Sequence, residues 1–451
     1  MPPASPQPSL TPSPTGSSTT AASPEAEAWD PDTIPSVTLT PTPSGSVPYA
    51  ARSTYSSALE AFEDEAYENA LTLVDQALDL APEQVDYLAL RGQILIALVR
   101  PLDGSAELRR ALSIDPFHAP ARLAMAELYL YYHREQDAVA EYGRYLTLAP
   151  EDAAGWYALG QIWEGLDQPL EAITAYSRTL ELETTHQGAL NRRGALWLEE
   201  ENLTAAWSDF SVLVIAHPDA DVYLTRGEIN LQLDAPLLAA ADFEAGLALL
   251  PGETPSYALM MQIGQAYLQG GAASQAATTF SETISLTTSI EPHLWLGESY
   301  RAGGDYEAAV ELYDDIFDRI TPMEAGRFLA GRGEAYLALE EYGAALTDLS
   351  DALYYAKGAG DRAVILAWRA AAFAALEQLD EAITDLSAAY ELAPTPSLLL
   401  RRGALHHQAG DDEAAIADLA AFLENADPDR TLPEQLQAAQ ALLDSLTADS
   451  P

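Results

Sequence analysis

The sequence predicts an all-α chain that grows by stacking helix pairs, and three observations predict it. One is a column of small residues: Gly92, Gly160, Gly194, Gly227, Gly264, Gly297, Gly333 and Gly403, completed by Ala58, Ala126 and Ala370. The step from Gly160 to Gly194 is 34 residues, and from Gly194 to Gly227 it is 33. The second is a partner column: Ala70, Gly104, Ala138, Ala172, Ala206, Ala239, Ala276, Ala309, Ala345, Ala382 and Ala415. Four residues past several of these stands a large knob, as at Tyr142, Tyr176, Phe210, Phe243, Phe280 and Tyr313. That i, i+4 spacing puts small residue and knob on one helix face. The third is punctuation. Pro82, Pro116, Pro150, Pro218, Pro251 and Pro394 fall where second helices must end, because proline disfavours helix in the residue before it.

Along the chain, residues 1–50 come first and hold 12 of the 29 prolines among serine and threonine. Such a stretch buries too little apolar surface to offset its ordering entropy, so it reads as a disordered stalk or linker. Its composition suits export or cell-surface display, with a cytoplasmic location as the alternative. There is no basic residue before Arg52 and no apolar h-region, so no signal peptide is expected in the sequence as given. The array follows over residues 51–428, with repeats beginning near residues 51, 85, 119, 153, 187, 220, 257, 290, 326, 363 and 396. Tight turns are expected inside repeats, as at Gly303-Gly304-Asp305 and Gly410-Asp411-Asp412, where glycine closes one helix and aspartate caps the next. The long spacers Gly252 to Ser256, Pro322 to Gly326 and Gly358 to Arg362 are candidate joints. Residues 429–451 contain the run Pro433 to Leu446, which reads as a capping helix over the last apolar face.

The register is clearest at Trp156-x-x-Leu159-Gly160-x-x-Trp163, then Ala172-x-x-x-Tyr176. This resembles the tetratricopeptide-repeat pattern W-x2-L-G-x2-Y followed by A-x3-F. The resemblance implies a right-handed α-solenoid of antiparallel helix pairs. It also implies that the first helix of each repeat lines a concave groove for a partner segment. Carried onto this chain, the groove would include Glu127, Leu130, Tyr131, Tyr157, Gln161, Glu164, Asn191 and Leu198. It would continue with Leu224, Glu228, Leu231, Met261, Gln265, Leu268, Leu294, Glu298, Arg301, Glu334 and Leu337. Some members of the family clamp a terminal carboxylate with lysine and asparagine. Asn191 stands alone here with no lysine near, so an acidic, leucine-striped groove for a basic and apolar segment is expected instead. The bland alternative is that the acids are only solvated surface.

A second pattern lies one position before the glycine column. Arg91, Arg193, Arg226, Arg332, Arg369 and Arg402 stand there, each with an acid sixteen residues on: Glu107, Asp209, Asp242, Asp348, Asp385 and Asp418. The other repeats have Ser57, Met125, Leu159, Ile263 and Leu296, followed by Leu73, Glu141, Ala175, Thr279 and Leu312. The two positions change together, which predicts a partly buried ion pair inside six repeats. Those arginines are structural and do not count towards a ligand-binding patch.

Composition bounds the partners. There are 22 basic and 69 acidic residues, a net charge of −47, which disfavours nucleic acid and anionic membrane surfaces. No apolar run approaches 18 residues, so no membrane insertion is expected. Cysteine is absent, which removes thiolate chemistry. The seven histidines show no H-E-x-x-H spacing. His406-His407 beside Asp411 and Asp412 reads as a surface pair before a metal site, because adjacent helical residues point apart. Asn202-Leu203-Thr204 matches a glycosylation sequon in a turn. No catalytic, cofactor or metal residues are assigned. The expected function is a non-enzymatic protein–protein interaction scaffold; the alternatives are a self-associating structural or cell-surface protein and, last, an enzyme with its site in the groove.

Overall fold

The computed structural model describes residues 47–250, 252, 255–321, 324–427 and 431–448. The expected stalk, except its last residues, lies outside them, as do Pro251, Pro322 and the end of the chain beyond residue 448. The described residues hold 23 α-helices and one short 3-10 turn, Phe317–Arg319. The chain divides into two compact units, Met1–Thr184 and Thr185–Pro451.

The first unit contains four antiparallel pairs: α1 (Tyr49–Glu63) with α2 (Tyr67–Leu80), α3 (Val85–Ala97) with α4 (Pro101–Ile114), α5 (Ala119–Tyr131) with α6 (Glu135–Leu148), and α7 (Ala153–Gly165) with α8 (Pro169–Leu182). The second unit continues with α9 (Gln187–Glu199) and α10 (Leu203–Ala216), α11 (Ala220–Gln232) and α12 (Pro236–Leu249), and α13 (Tyr257–Gln269) and α14 (Ala273–Ile284). Then come α15 (Glu291–Gly303) and α16 (Tyr306–Ile316), α17 (Ala325–Ala338) and α18 (Tyr342–Tyr355), α19 (Ala359–Ala375) and α20 (Leu379–Leu392), and α21 (Pro396–Gln408) and α22 (Asp412–Asn425). The last helix, α23 (Pro433–Ala448), lies on α22, with Ala439 and Leu446 buried in one cluster with Leu419 and Phe422. Within each unit every pair packs internally, and second helices pack on the next first helix.

The small-residue column works by admitting the knob. A methyl group built on Gly160 would stand 2.5 Å from the Tyr176 ring, and one on Gly227 would stand 2.5 Å from Phe243. The knob therefore fills the space a side chain would take, and the helices close to backbone contact around it. At Gly104 the added methyl would meet the Gly92 carbonyl oxygen at 2.7 Å, so there two backbones touch. The partner alanines Ala70, Ala138, Ala172 and Ala206 are completely buried.

Helix ends follow the punctuation. α2, α4, α6, α10 and α20 each stop two residues before Pro82, Pro116, Pro150, Pro218 and Pro394. Every turn inside a pair places one residue in the left-handed region. Gly304 and Gly410 do so at φ 78° and 83°, and Asp305 and Asp411 then cap α16 and α22 by accepting from Ala308 N and Ala414 N. Eight other pairs use a residue with a side chain there, including β-branched Val99 at φ 58°. That position costs about 1–2 kcal/mol for an L-residue, which the packed helix pair on either side must offset.

Candidate functional site

The arginines that face the core are engaged within it. Nε and Nη2 of Arg193 donate to the two carboxylate oxygens of Asp209 at 2.9 and 2.6 Å. The same fork joins Arg226 to Asp242 at 2.9 and 2.5 Å, and Arg332 to Asp348 at 2.7 and 3.0 Å. It recurs for Arg369 with Asp385 and Arg402 with Asp418, at 2.7–2.8 Å. Arg91 reaches Glu107 through Nη1 at 2.9 Å. All five aspartates are buried. The ion pair inferred from the paired columns is thus present in all six repeats. Its remaining donor does something the columns do not reveal: it reaches the preceding pair. Arg91 Nε donates to Asp75 at 2.8 Å, Arg332 Nη1 to Asp314 at 2.7 Å and Arg402 Nη1 to Ser387 at 3.1 Å. Each of these arginines staples two layers. Burial works to lower the Arg332 guanidinium, but its bonds to Asp348 and Asp314 hold it well above its ordinary value.

The expected groove residues separate into three kinds. On α5 and α7 of the first unit, Glu127, Tyr131 and Gln161 are exposed, and Leu130 packs half-buried against the Tyr142 cluster. Gln161 Nε2 donates to the Tyr157 hydroxyl at 3.3 Å, and Glu164 accepts from the Tyr176 hydroxyl at 2.6 Å. In the second unit Asn191, Leu198, Gln265 and Leu268 are half-buried and Glu228 is exposed. Met261 and Leu294, at 6% and 8% exposure, belong to the core. Leu224 and Leu231 pack against the Phe243 cluster, and Leu337 against the cluster around Leu349. These leucines are therefore largely used in the apolar clusters within and between pairs. The amide that matters structurally is not Asn191 but buried Asn230, which accepts from Trp207 Nε1 at 2.9 Å and donates to Asp242 at 2.8 Å.

The third kind converges. Arg301, on α15, meets Glu334 on α17 and lies 3.5 Å from Glu298, one turn back. Burial works to lower the Arg301 guanidinium, but Tyr313, Glu334 and Glu298 hold it above its ordinary value. Burial lifts the Glu334 carboxyl, with Arg301 opposing. Arg301 Nε is buried and has no hydrogen-bond acceptor among the described residues. Arg301 and Glu298 open onto a cleft of about 1000 Å³ within the second unit. Its further lining was not foreseen: Arg327, Tyr354, Lys357, Val364 and Trp368. Arg327 lies 4.4 Å over the Trp295 ring and 3.9 Å from Glu298. Lys357, the chain's single lysine, is exposed and makes no ion pair among the described residues. The long spacer at Gly358 was the visible signal. It lets α19 run 17 residues and begin beside the end of α18, which walls the cleft. Gly331 lets Tyr313 and Arg301 pack closely at the floor: a methyl there would meet Tyr313 Oη at 2.7 Å and Arg301 Nη1 at 2.9 Å.

Two sequence motifs have plain structural uses. Asn202 of the sequon caps α10 by accepting from Ala205 N at 3.2 Å. His407 Nδ1 lies 2.7 Å from Asp412, while His406 lies 3.7 Å from Asp411, so the adjacent histidines have different partners.

The tetratricopeptide-repeat family model matches residues 123–184, which span α5 to α8. The same glycine column, knob and turn recur in the pairs on either side of that stretch. The chain carries tetratricopeptide repeats. Solved structures are similar to the chain at low identity. One is the complex of Naa15/Naa10 bound to HypK-THB, at 14% identity and TM-score 0.44, covering 87% of this chain. This chain spans 65% of that one, just under two thirds. Yeast Tom70 is similar at 14% identity and TM-score 0.40, covering 88% of this chain and 96% of its own. The Cut9-Hcn1 hetero-tetramer of the APC/C is similar at 13% identity and TM-score 0.42, with the same coverages, 88% and 96%. No curated protein sequence matches the chain significantly. Tetratricopeptide arrays commonly mediate protein–protein interaction, and this one has the tandem helix pairs that such surfaces are made from. Among the described residues no helix is long and apolar enough to cross a membrane.

Proposed function

We propose that the chain is a non-enzymatic interaction scaffold whose acidic first-helix faces hold a partner segment bearing Arg or Lys beside apolar side chains. The observation that carries this reading is the disposition of charge. Six arginines are consumed between helices, while first-helix acids such as Glu127 and Glu228 are exposed and make no ion pair among the described residues. The tetratricopeptide surface is thereby left with uncompensated carboxylates, which attract and orient a cationic segment. The half-buried leucines beside them offer the apolar part of the contact.

The test is stopped-flow association of a labelled amphipathic Arg/Leu probe peptide with the full chain at low and high salt. Association is expected to slow as salt rises, since exposed charges are screened beyond about 8–10 Å at physiological ionic strength. Glu127→Gln together with Glu228→Gln should slow it by a few-fold. A rate independent of both salt and these carboxylates would remove the reading.

A further inference from the structure

The position one past the glycine column occupies the same face of its helix in every pair, and it holds glutamate four times: Glu127, Glu228, Glu298 and Glu334. The four differ in what stands beside them. Glu127 and Glu228 make no ion pair among the described residues. Glu298 and Glu334 share one. Arg301, from α15, meets Glu334 of the next pair and lies 3.5 Å from Glu298, so a single guanidinium spans two successive glutamates of the column. Arg327 adds a second cation, 3.9 Å from Glu298. Two acids and two cations then cancel. Burial alone lifts the Glu127 carboxyl, whereas at Glu334 the Arg301 charge opposes that lift.

Arg301 is also out of keeping with its own column. Four residues past the small position, first helices carry Leu130, Leu198, Leu231, Leu268 and Leu337, and arginine stands there only at 301. Leucine thus satisfies the packing at this position, and the fold does not demand a cation. The Arg301 side chain is only 13% exposed, beside Tyr313 and 5.8 Å over the Trp368 ring. A guanidinium suits the task of joining the two acids, because its planar fork reaches carboxylates on two helices at once.

We propose that Arg301 is a built-in occupant of the acidic first-helix face: from inside the chain it takes the place that a partner's arginine takes at a free column glutamate such as Glu228, and so closes the α15–α17 stretch to the cationic segment. The proposal rests on the scaffold reading for the partner's chemistry and adds where along the second unit that partner stops. At Glu228 the segment meets an uncompensated carboxylate. At Glu298 and Glu334 it meets a surface with no net charge to draw it.

The experiment is a fluorescence-anisotropy titration of the labelled Arg/Leu probe peptide into the full chain and its variants. Arg301→Leu, which copies Leu268 and Leu337, should tighten binding by about fivefold, because it frees two acids. Arg178→Leu, an equal charge change at an exposed site in the first unit, should leave it within about twofold. Adding Glu334→Gln to Arg301→Leu should abolish the gain. If Arg301→Leu fails to fold, Arg327→Gln decides: this arginine is 47% exposed, and its loss should tighten binding by about threefold, an effect that Glu298→Gln removes. A folded Arg301→Leu chain that binds within about twofold of wild type would overturn the proposal, as would a gain that survives Glu334→Gln. So would Arg327→Gln without a gain, where it is the variant that folds. The scaffold reading fails separately: wild-type binding indifferent to Glu228→Gln would remove it, while a gain at Arg301→Leu that depends on Glu334 would still support an occupied face.

Discussion

The α15–α16 and α17–α18 pairs are neighbours with the same columns and opposite contents. In α17–α18 the column positions hold Arg332 and Asp348, forked together and tied on to Asp314 in the preceding pair. In α15–α16 the same positions hold Leu296 and Leu312, both within one apolar cluster. The cation of α15 lies instead at Arg301, one turn past Gly297, where it opens on the cleft. One layer uses arginine as a staple within the pair and back to the preceding one; the other carries its arginine forward to Glu334 of the following pair, at the wall of the cleft. Where leucine satisfies the packing inside a repeat, the arginine moves from that position to a link between repeats.

The largest expected effect breaks the staple. Asp348→Ala leaves Arg332 between the helices with Asp314 as its remaining carboxylate, and loss of the buried partner from such a pair costs up to about 3–5 kcal/mol. Arg332→Leu with Asp348→Leu copies the α15–α16 solution and should cost clearly less, since both charges go together. Urea unfolding of the two variants decides it. If both lose the same stability, the pair is not the unit that holds α17 to α18.

Next in size is a probe of the knobs. Gly297 and Gly333 share the column, but a methyl on Gly297 would strike the Tyr313 ring, whereas one on Gly333 would meet the Leu349 side chain at 2.7 Å. Tyr313 is fully buried, and its rigid ring cannot step aside as a leucine rotamer can. Gly297→Ala should therefore cost about 1–3 kcal/mol by overpacking. Gly333→Ala should cost less, part of it offset by the better helix propensity of alanine, about 1 kcal/mol. A melting temperature lowered more by Gly333→Ala would show that helix approach, and not the knob, sets the glycine.

The same two pairs show what could be read from sequence. The repeat boundaries, the turns at Gly304 and Gly410 and the Arg–Asp pairs were legible because each recurs, so one chain acts as its own set of comparisons. The link from Arg332 to Asp314 was not, because the residue it reaches in the preceding pair is Asp75, Ser211, Asp314, Ser350 or Ser387, at separations of 15 to 19. Periodicity also placed Met261 and Leu294 on the first-helix face without distinguishing groove from interlayer contact, since both lie on one side of a helix. The cleft escaped for the opposite reason. Arg327, Lys357 and Trp368 belong to three different helices or spacers and to no repeated column, and the spacer at Gly358 brings them together.

The smallest effect concerns acid. Four residues before the glycine column, α17 has Leu329 and α15 has His293, both buried. His293 Nδ1 has no hydrogen-bond partner among the described residues, and burial, with Arg319 adding to it, pushes its pKa below the ordinary 6.5. A histidine lowered in this way is held neutral by the fold. Its stability contribution is complete above about pH 6.5 and is lost as pH falls through the lowered folded value. In that window each pH unit can remove up to about 1.4 kcal/mol. His293→Leu, which makes α15 like α17 at this position, abolishes the loss. Because the carboxylates titrate in both proteins, the difference in unfolding free energy between wild type and variant isolates this one ring. It should move in favour of the variant as pH falls below 6.5, and a difference constant across that range would mean that the ring finds a partner when it charges.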